Sequence, residues 1–352
     1  MTRLTRADLD ALPTYVPGRT VPGAIKLASN EVPYGPLPGV VDAIAQASQN
    51  THRYPDMGVV ALREAIADRL GVDHDRVATG CGSVALTEHL TRTVCLPGDE
   101  VVHAWRSFEA YPIITATAAA TGVRVPNTPT HGHDLQAIAA AIGPRTRLVL
   151  ICNPNNPTGT ALCRAELDGF LAAVPPSVLV VLDEAYREFV TDAEVPDGIT
   201  DYGDRPNVAV LRTFSKAWGL AGLRVGYLVA HPEVTRATSK VITPFSTSAV
   251  AQSAALAALR AETEMGRRVK LVIAERERVT AAVDRLVPGV PASQANFVWL
   301  PLGARSADFA ASCERSGIIV RAFAGDGVRV TIGTPEENDD FLRVLAGWTG
   351  SR

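Results

Sequence analysis

Two residues of the 352-residue chain have the type and the placement to do chemistry together. Asp183 closes the apolar run VLVVLDEAY (178–186), and Lys216 lies in LRTFSKAWGLAGLRVGY (211–227). A short run of Val and Leu reads as a strand buried on both faces, and such strands deliver their last residues to a crevice at the sheet edge. An acid there can hold a magnesium ion beside a nucleotide, or it can hold a positively charged organic ring. The nucleotide reading needs a phosphate loop ending in Gly-Lys-Ser/Thr. The chain has no Gly-Lys dipeptide, and its lysines are only Lys26, Lys216, Lys240 and Lys270. Lys216 follows the predicted strand VAVLR, so it should stand at the same sheet edge as Asp183. A lysine beside an apolar crevice sheds its proton readily and forms a Schiff base, which arginine cannot do.

A Schiff-base lysine with a strand-end acid is the pair that pyridoxal phosphate chemistry requires, because the acid keeps the pyridine nitrogen protonated and lets the ring absorb electrons. Asp183 is then the partner of that nitrogen, and its neighbour Glu184 a structural residue. A single lysine at a helix start is ordinarily solvated, so the weight falls on its companions. ATGCGSVALTEHL (78–90) offers a short strand, two glycines and a helix beginning near Ser83. A helix N-terminus presents free amides and a positive dipole end to an anion such as a phosphate.

Composition excludes several classes. With 34 basic and 37 acidic residues the net charge is -3, and no basic cluster of the kind that tracks nucleic acid or anionic lipid occurs. Small neutral or anionic metabolites fit better as ligands. Cys81, Cys95, Cys152, Cys163 and Cys313 are odd in number, scattered and free of C-x-x-C, which argues against disulfides or a zinc site and for a reducing cytoplasm. No metal is expected. The first twenty residues mix acids and bases and do not read as a signal peptide, and no segment reaches the roughly 18 apolar residues of a membrane span.

The elements that must position these residues alternate from about Arg76 to about Ala230. Short apolar runs (RLVLICN, VLVVLD, VAVLR, RVGYLVA) are separated by helix-like stretches, the pattern of a mainly parallel sheet covered on both faces. Val59, Leu62, Ile66 and Leu70 fall on one helical face, and Ser248 to Leu286 reads as a long helical connection. Phe297–Leu300 and Gly327–Gly333 look like strands again. The expected fold is α/β: a three-layer α/β/α large domain over 46–245, and a smaller α+β domain from 1–45 and 246–352. In GVRVTIG, alternation puts Val328, Val330 and Ile332 on one face, with Arg329 and Thr331 on the other.

The segments CNPNNPTG (152–159), VLDEAY (181–186) and SKAWGLAGLRVGY (215–227), in this order, resemble the fold-type I aminotransferases, in the branch of the histidinol-phosphate and aromatic amino acid enzymes. KLASNEVPYGP, RYPDMG (53–58) and VRVTIGTPEEND extend the resemblance over nearly the whole chain. It implies pyridoxal 5'-phosphate bound through Lys216, with Asp183 on the ring nitrogen and Asn156 and Tyr186 on the ring oxygen. A hydrogen-bonded oxygen anion lowers the proton affinity of the neighbouring imine. NPNNPTG is also a turn by composition, and the turn would aim Asn156.

By the same resemblance, Gly82, Ser83, Val84, Thr213, Ser215 and Arg224 form the phosphate cup, and Phe108 of WRSFEAYP stacks on the ring. Trp105 and Tyr111 are core or pocket wall. Tyr54, extended by Pro55, reaches across a homodimer to the partner's phosphate group. Arg329 grips the substrate carboxylate by a two-pronged contact, and Asn30, Tyr15 and Arg321 line the substrate pocket.

The expected reaction is a ping-pong amino transfer. Histidinol-phosphate enzymes usually carry acidic residues after the phosphate-loop serine, where this chain has Val84 and Ala85, and IIVRAFAGDGVRVTIG is nearer the aromatic branch. An aromatic amino acid substrate is therefore expected, with histidinol phosphate as the alternative. A regulator that binds the cofactor without turnover would need a DNA-binding segment ahead of residue 26. A decarboxylase on the same scaffold would differ only in which substrate bond it orients for cleavage.

Overall fold

Alternation along the apolar runs sorts their side chains to two sides of one sheet. In β6 (Leu179–Asp183), Val180 and Leu182 join one buried cluster while Leu179 and Val181 join another. The same split holds in β5 (Thr146–Cys152), where Val149 and Ile151 oppose Leu148 and Leu150, and in β7 (Val208–Thr213), where Val208 and Val210 oppose Ala209 and Leu211. Both faces are therefore covered, which is the physical meaning of three layers.

The structure, a computed structural model, describes residues 4–6, 9, 10, 12 and 14–350. The chain enters at β1 (Ile25–Leu27) and continues through β2 (Val77–Gly80), β3 (Glu100–Trp105) and β4 (Thr121–Pro126) to β5, β6, β7 and β8 (Gly226–Ala230). Seven of these strands form one sheet in the order β2-β8-β7-β6-β5-β3-β4. Only β8 runs against its neighbours, pairing antiparallel with both β2 and β7.

That single reversal matters for the site. The last residues of β2, β3, β5, β6 and β7 reach one edge of the sheet, and because β8 is reversed its first residues reach that edge too. Segments as distant as 81–84, 106–109, 153–156, 183–186, 213–216 and 224–226 are gathered there.

The second sheet has the order β1-β10-β11-β9, built from β9 (Phe297–Leu300), β10 (Ile318–Phe323) and β11 (Gly327–Thr331), with β1 added in parallel to β10. An N-terminal strand is thus completed by C-terminal ones. Helix α1 (Val40–Ser48) packs on the helix Ala249–Arg260, which again ties early chain to late. Helix α2 (Val60–Leu70) buries Leu62 and Ile66 as its periodicity predicts, and Val59 stands just ahead of it as a buried residue with φ 49°.

The expected long helix over 248–286 is two helices, Ala249–Arg260 and Glu262–Asp284. Ala261 between them has φ -97° and ψ 24°, outside the helical range, so the hydrogen-bond ladder is interrupted there although Leu259, Arg260, Ala261 and Glu262 are all good helix formers. The expected strand over 327–333 ends at Thr331. No helix among the described residues is long and apolar enough to cross a membrane.

Candidate active site

A cavity of about 230 Å³ opens at the shared sheet edge, between the seven-stranded sheet and the smaller one. Its wall includes Asp183, Tyr186, Asn156, Lys216, Ser215, Thr213, Ser83, Val84, Phe108 and Arg224 from the first, and Arg329 and Arg321 from the second. Asn30 and Tyr15 line it from the N-terminal segment.

Asp183 ends β6, and its carboxylate is buried. One oxygen, Oδ2, accepts a hydrogen bond from the Tyr111 hydroxyl at 2.8 Å, while Oδ1 is buried without a partner. A buried carboxylate oxygen left open is costly unless a cation or donor completes it. Burial pushes the carboxyl up to about 6, opposed chiefly by the Tyr111 hydroxyl. Glu184 turns to the other face, where its Oε2 accepts from Arg212 at 2.7 and 3.0 Å and its Oε1 from the Gly198 amide. It holds the fold, as expected from its place.

Lys216 follows β7, and its Nζ donates to the Ser29 carbonyl at 3.0 Å. Burial, helped by the positive charge of Arg329, drives its ammonium down to about 7. The amine is therefore available near neutral pH.

The cup beside it is built by close backbone approach. Helix α3 (Ser83–Val94) starts at the cavity, and Gly82 before it has φ 83°. A β-carbon on Gly82 would strike the Arg224 guanidinium, and one on Gly226 would strike the Ser83 amide. Gly226 lets the start of β8 meet the start of α3 backbone to backbone, and Gly82 leaves room for the Arg224 guanidinium. Arg224 itself is exposed and left-handed (φ 56°), and it donates to the Ser215 hydroxyl at 3.1 Å. The Ser215 amide in turn donates to the Thr213 hydroxyl at 3.0 Å.

On the opposite wall, Arg329 donates to Asn156 Oδ1 at 2.6 Å and to the Ala28 carbonyl at 2.7 Å, and its Nε is buried without a partner. It stands between the rings of Phe297 and Phe323. All of β11 is buried, so the face opposite Val328 and Val330 looks into the cavity and not into solvent. Asn30, at φ 55°, donates to the Tyr186 hydroxyl at 2.8 Å and exchanges hydrogen bonds with Thr331. Burial raises the Tyr186 phenol above its ordinary range.

The donor set fits pyridoxal 5'-phosphate: an open carboxylate oxygen, an amine with lowered basicity, and an amide, hydroxyl and guanidinium cup lining the same cavity. Phe108 lies at the cavity, edge-on to Tyr111 at 5.5 Å between centroids. Tyr54 is not brought into the cavity of its own chain; it is 82 % exposed and stacks on Phe245 at 4.5 Å. Among the described residues no His, Cys, Asp and Glu cluster is placed to hold a metal ion.

Sequence reasoning missed two residues. Tyr111, left as core or wall, touches Asp183 directly, and Glu109 lines the cavity against Arg321. Helical spacing from Phe108 could have raised the first; nothing local signals the second.

Comparison with known proteins agrees with this geometry. The family model of aminotransferase class I and II matches residues 22–345, and the chain belongs to that family. Proteins named aromatic amino acid aminotransferase from Rhodococcus jostii and Streptomyces avermitilis are 58 % and 56 % identical to it. The first match covers 97 % of this chain and 95 % of the relative, the second 96 % of each. Among solved structures, a histidinol-phosphate aminotransferase from Sinorhizobium meliloti in complex with pyridoxal-5'-phosphate superposes with a TM-score of 0.88. It is 29 % identical and is matched over 100 % of this chain and 99 % of that one.

Proposed function

We propose that the chain transfers amino groups between an aromatic amino acid and a 2-oxo acid, using pyridoxal 5'-phosphate in a ping-pong cycle. The observation that carries the reading is the open Asp183 oxygen across one cavity from a lysine whose basicity burial has lowered. The high identity to proteins named aromatic amino acid aminotransferase supports the substrate class. When bound, the cofactor supplies an aldehyde that an amine can capture and a ring that draws electrons from the substrate's α-carbon.

The chain's residues do the rest. Asp183 would hold a proton on the ring nitrogen through Oδ1, and Asn156 and Tyr186 would donate to the ring oxygen. Gly82, Ser83 and Val84 at the start of α3, with Thr213, Ser215 and Arg224, bind the phosphate. Phe108 would cover one ring face. Arg329 fixes the substrate carboxylate, with Asn30, Tyr15 and Arg321 around it, and so aims the α-hydrogen at Lys216. The Lys216 Nζ, neutral above about pH 7, would take that proton and pass it on to the cofactor, which keeps the amino group.

In this reading residues 46–245 form the cofactor domain, and 1–45 with 246–352 form the domain that carries Arg329. The working unit is a cytoplasmic homodimer in which Tyr54 reaches the partner's phosphate site. Catalytic efficiencies for phenylalanine or tyrosine should greatly exceed that for histidinol phosphate. A preference for the phosphate ester would replace the aromatic assignment.

A further inference from the structure

The β10–β11 hairpin turns two arginines toward the cavity, and they are not equivalent. Arg321 and Arg329 face each other directly in the antiparallel register, and both line the wall. Like charges opposite one another repel, so each needs its own compensation. Among the described residues Arg329 has only neutral hydrogen-bond partners, Asn156 and the Ala28 carbonyl, and an unpartnered Nε. Arg321 already has an anion: it donates to Glu109 Oε2 at 2.7 Å, and at 3.4 Å to the Pro17 carbonyl. Its side chain is 14 % exposed and that of Glu109 28 %, so water screens the pair poorly.

Glu109 immediately precedes α4 (Ala110–Thr117), where a carboxylate could cap the free amides, yet it makes no capping bond. Its carboxylate goes to Arg321 instead. A second ion pair, Arg106 to Asp326, ties the same 106–109 segment to the turn of the hairpin. The contact is therefore held from both sides.

We propose that Glu109 sets the charge preference for the substrate side chain. By occupying Arg321 it leaves one open anion socket, at Arg329, and a neutralised wall beyond it. An uncharged ring can lie along Tyr15 without disturbing the pair. A side chain carrying a phosphate or second carboxylate must take Arg321 away from Glu109, and it then sits beside a carboxylate. This deepens the aminotransferase reading above and rests on it.

The test is titration of the holoenzyme with two acids that have no amino or keto group and cannot react, phenylpropionate and glutarate. The wild type should bind phenylpropionate more tightly. Glu109→Gln should shift the ratio of the two dissociation constants toward glutarate by about tenfold or more, the effect of one poorly screened charge at contact. Glu109→Ala should move it the same way, with the visible spectrum of both variants unchanged. If the wild type discriminates and both variants discriminate equally, the role of Glu109 is overturned while the aromatic reading stands. If the wild type binds glutarate as tightly as phenylpropionate, the aromatic reading falls and takes this role with it.

Discussion

Tyr111 donates to one oxygen of Asp183 at 2.8 Å, and the other oxygen is left open. Strand period explains the meeting. Leu179, Val181 and Asp183 share a face of β6, and Tyr111 on α4 belongs to the buried cluster on that face. One oxygen is anchored and the other is presented to the cavity. A hydrogen bond to a charged group contributes about 1.5–3 kcal/mol, so Tyr111 favours the carboxylate form. Tyr111→Phe should raise the Asp183 pKa and move the acid limb of the pH-rate profile to higher pH. It should also lower kcat/KM by roughly tenfold or more. An unchanged acid limb would leave Tyr111 a packing residue only.

Lys216 makes a double prediction. Lys216→Ala should abolish turnover and the visible absorbance of the imine that joins the lysine to the cofactor, and retained turnover would defeat its assignment. The same lysine should destabilise the cofactor-free fold. Its pKa falls from 10.5 to about 7 on burial, so at pH 7 and below the native state holds a charge it disfavours, and stability recovers as pH rises from 7 toward 10.5. Lys216→Met should therefore melt above the wild type at pH 6, with the gap closing by pH 10. A gap independent of pH would show that its charge is not the cause.

The socket at Arg329 depends on the guanidinium fork. It reaches Asn156 and Ala28 at once and keeps Nε free. A lysine there is a point charge that cannot repeat the geometry. Arg329→Lys should raise KM for amino acid substrates far more than it lowers kcat, with a loss of about a hundredfold in kcat/KM. Substrate kinetics with KM unaltered would remove Arg329 from carboxylate binding.

The exposed Tyr54 can be tested by mixing inactive subunits. If it serves the partner's site, a dimer of one Lys216→Ala and one Tyr54→Ala chain has one intact site, made from the lysine of the second and the tyrosine of the first. Random reassociation should recover about a quarter of wild-type activity, since half the dimers are hybrid and each has one working site. No recovery above the parental variants would place Tyr54 elsewhere.

Much of this was legible in the chain. Continuous apolar runs marked β5, β6, β7 and β8, because burial on two faces demands apolar residues such as Val and Leu at successive positions, and Asp183 and Lys216 stand out where such runs end. Gly82, read from the sequence as part of the phosphate cup, stands where a side chain would strike the Arg224 guanidinium. The break at Ala261 left no mark, since alanine is as content inside a helix as between two.

What the tertiary structure alone decided is which partner each polar atom keeps. Tyr111 finds Asp183 across 72 positions and Glu109 finds Arg321 across 212. Arg329, of the same residue type and directly opposite Arg321, makes no ion pair among the described residues. Residue type and spacing set what a side chain can do and on which face it emerges. Whether its charge is already satisfied depends on groups brought within about 3 Å by folding, and no local pattern encodes that distance.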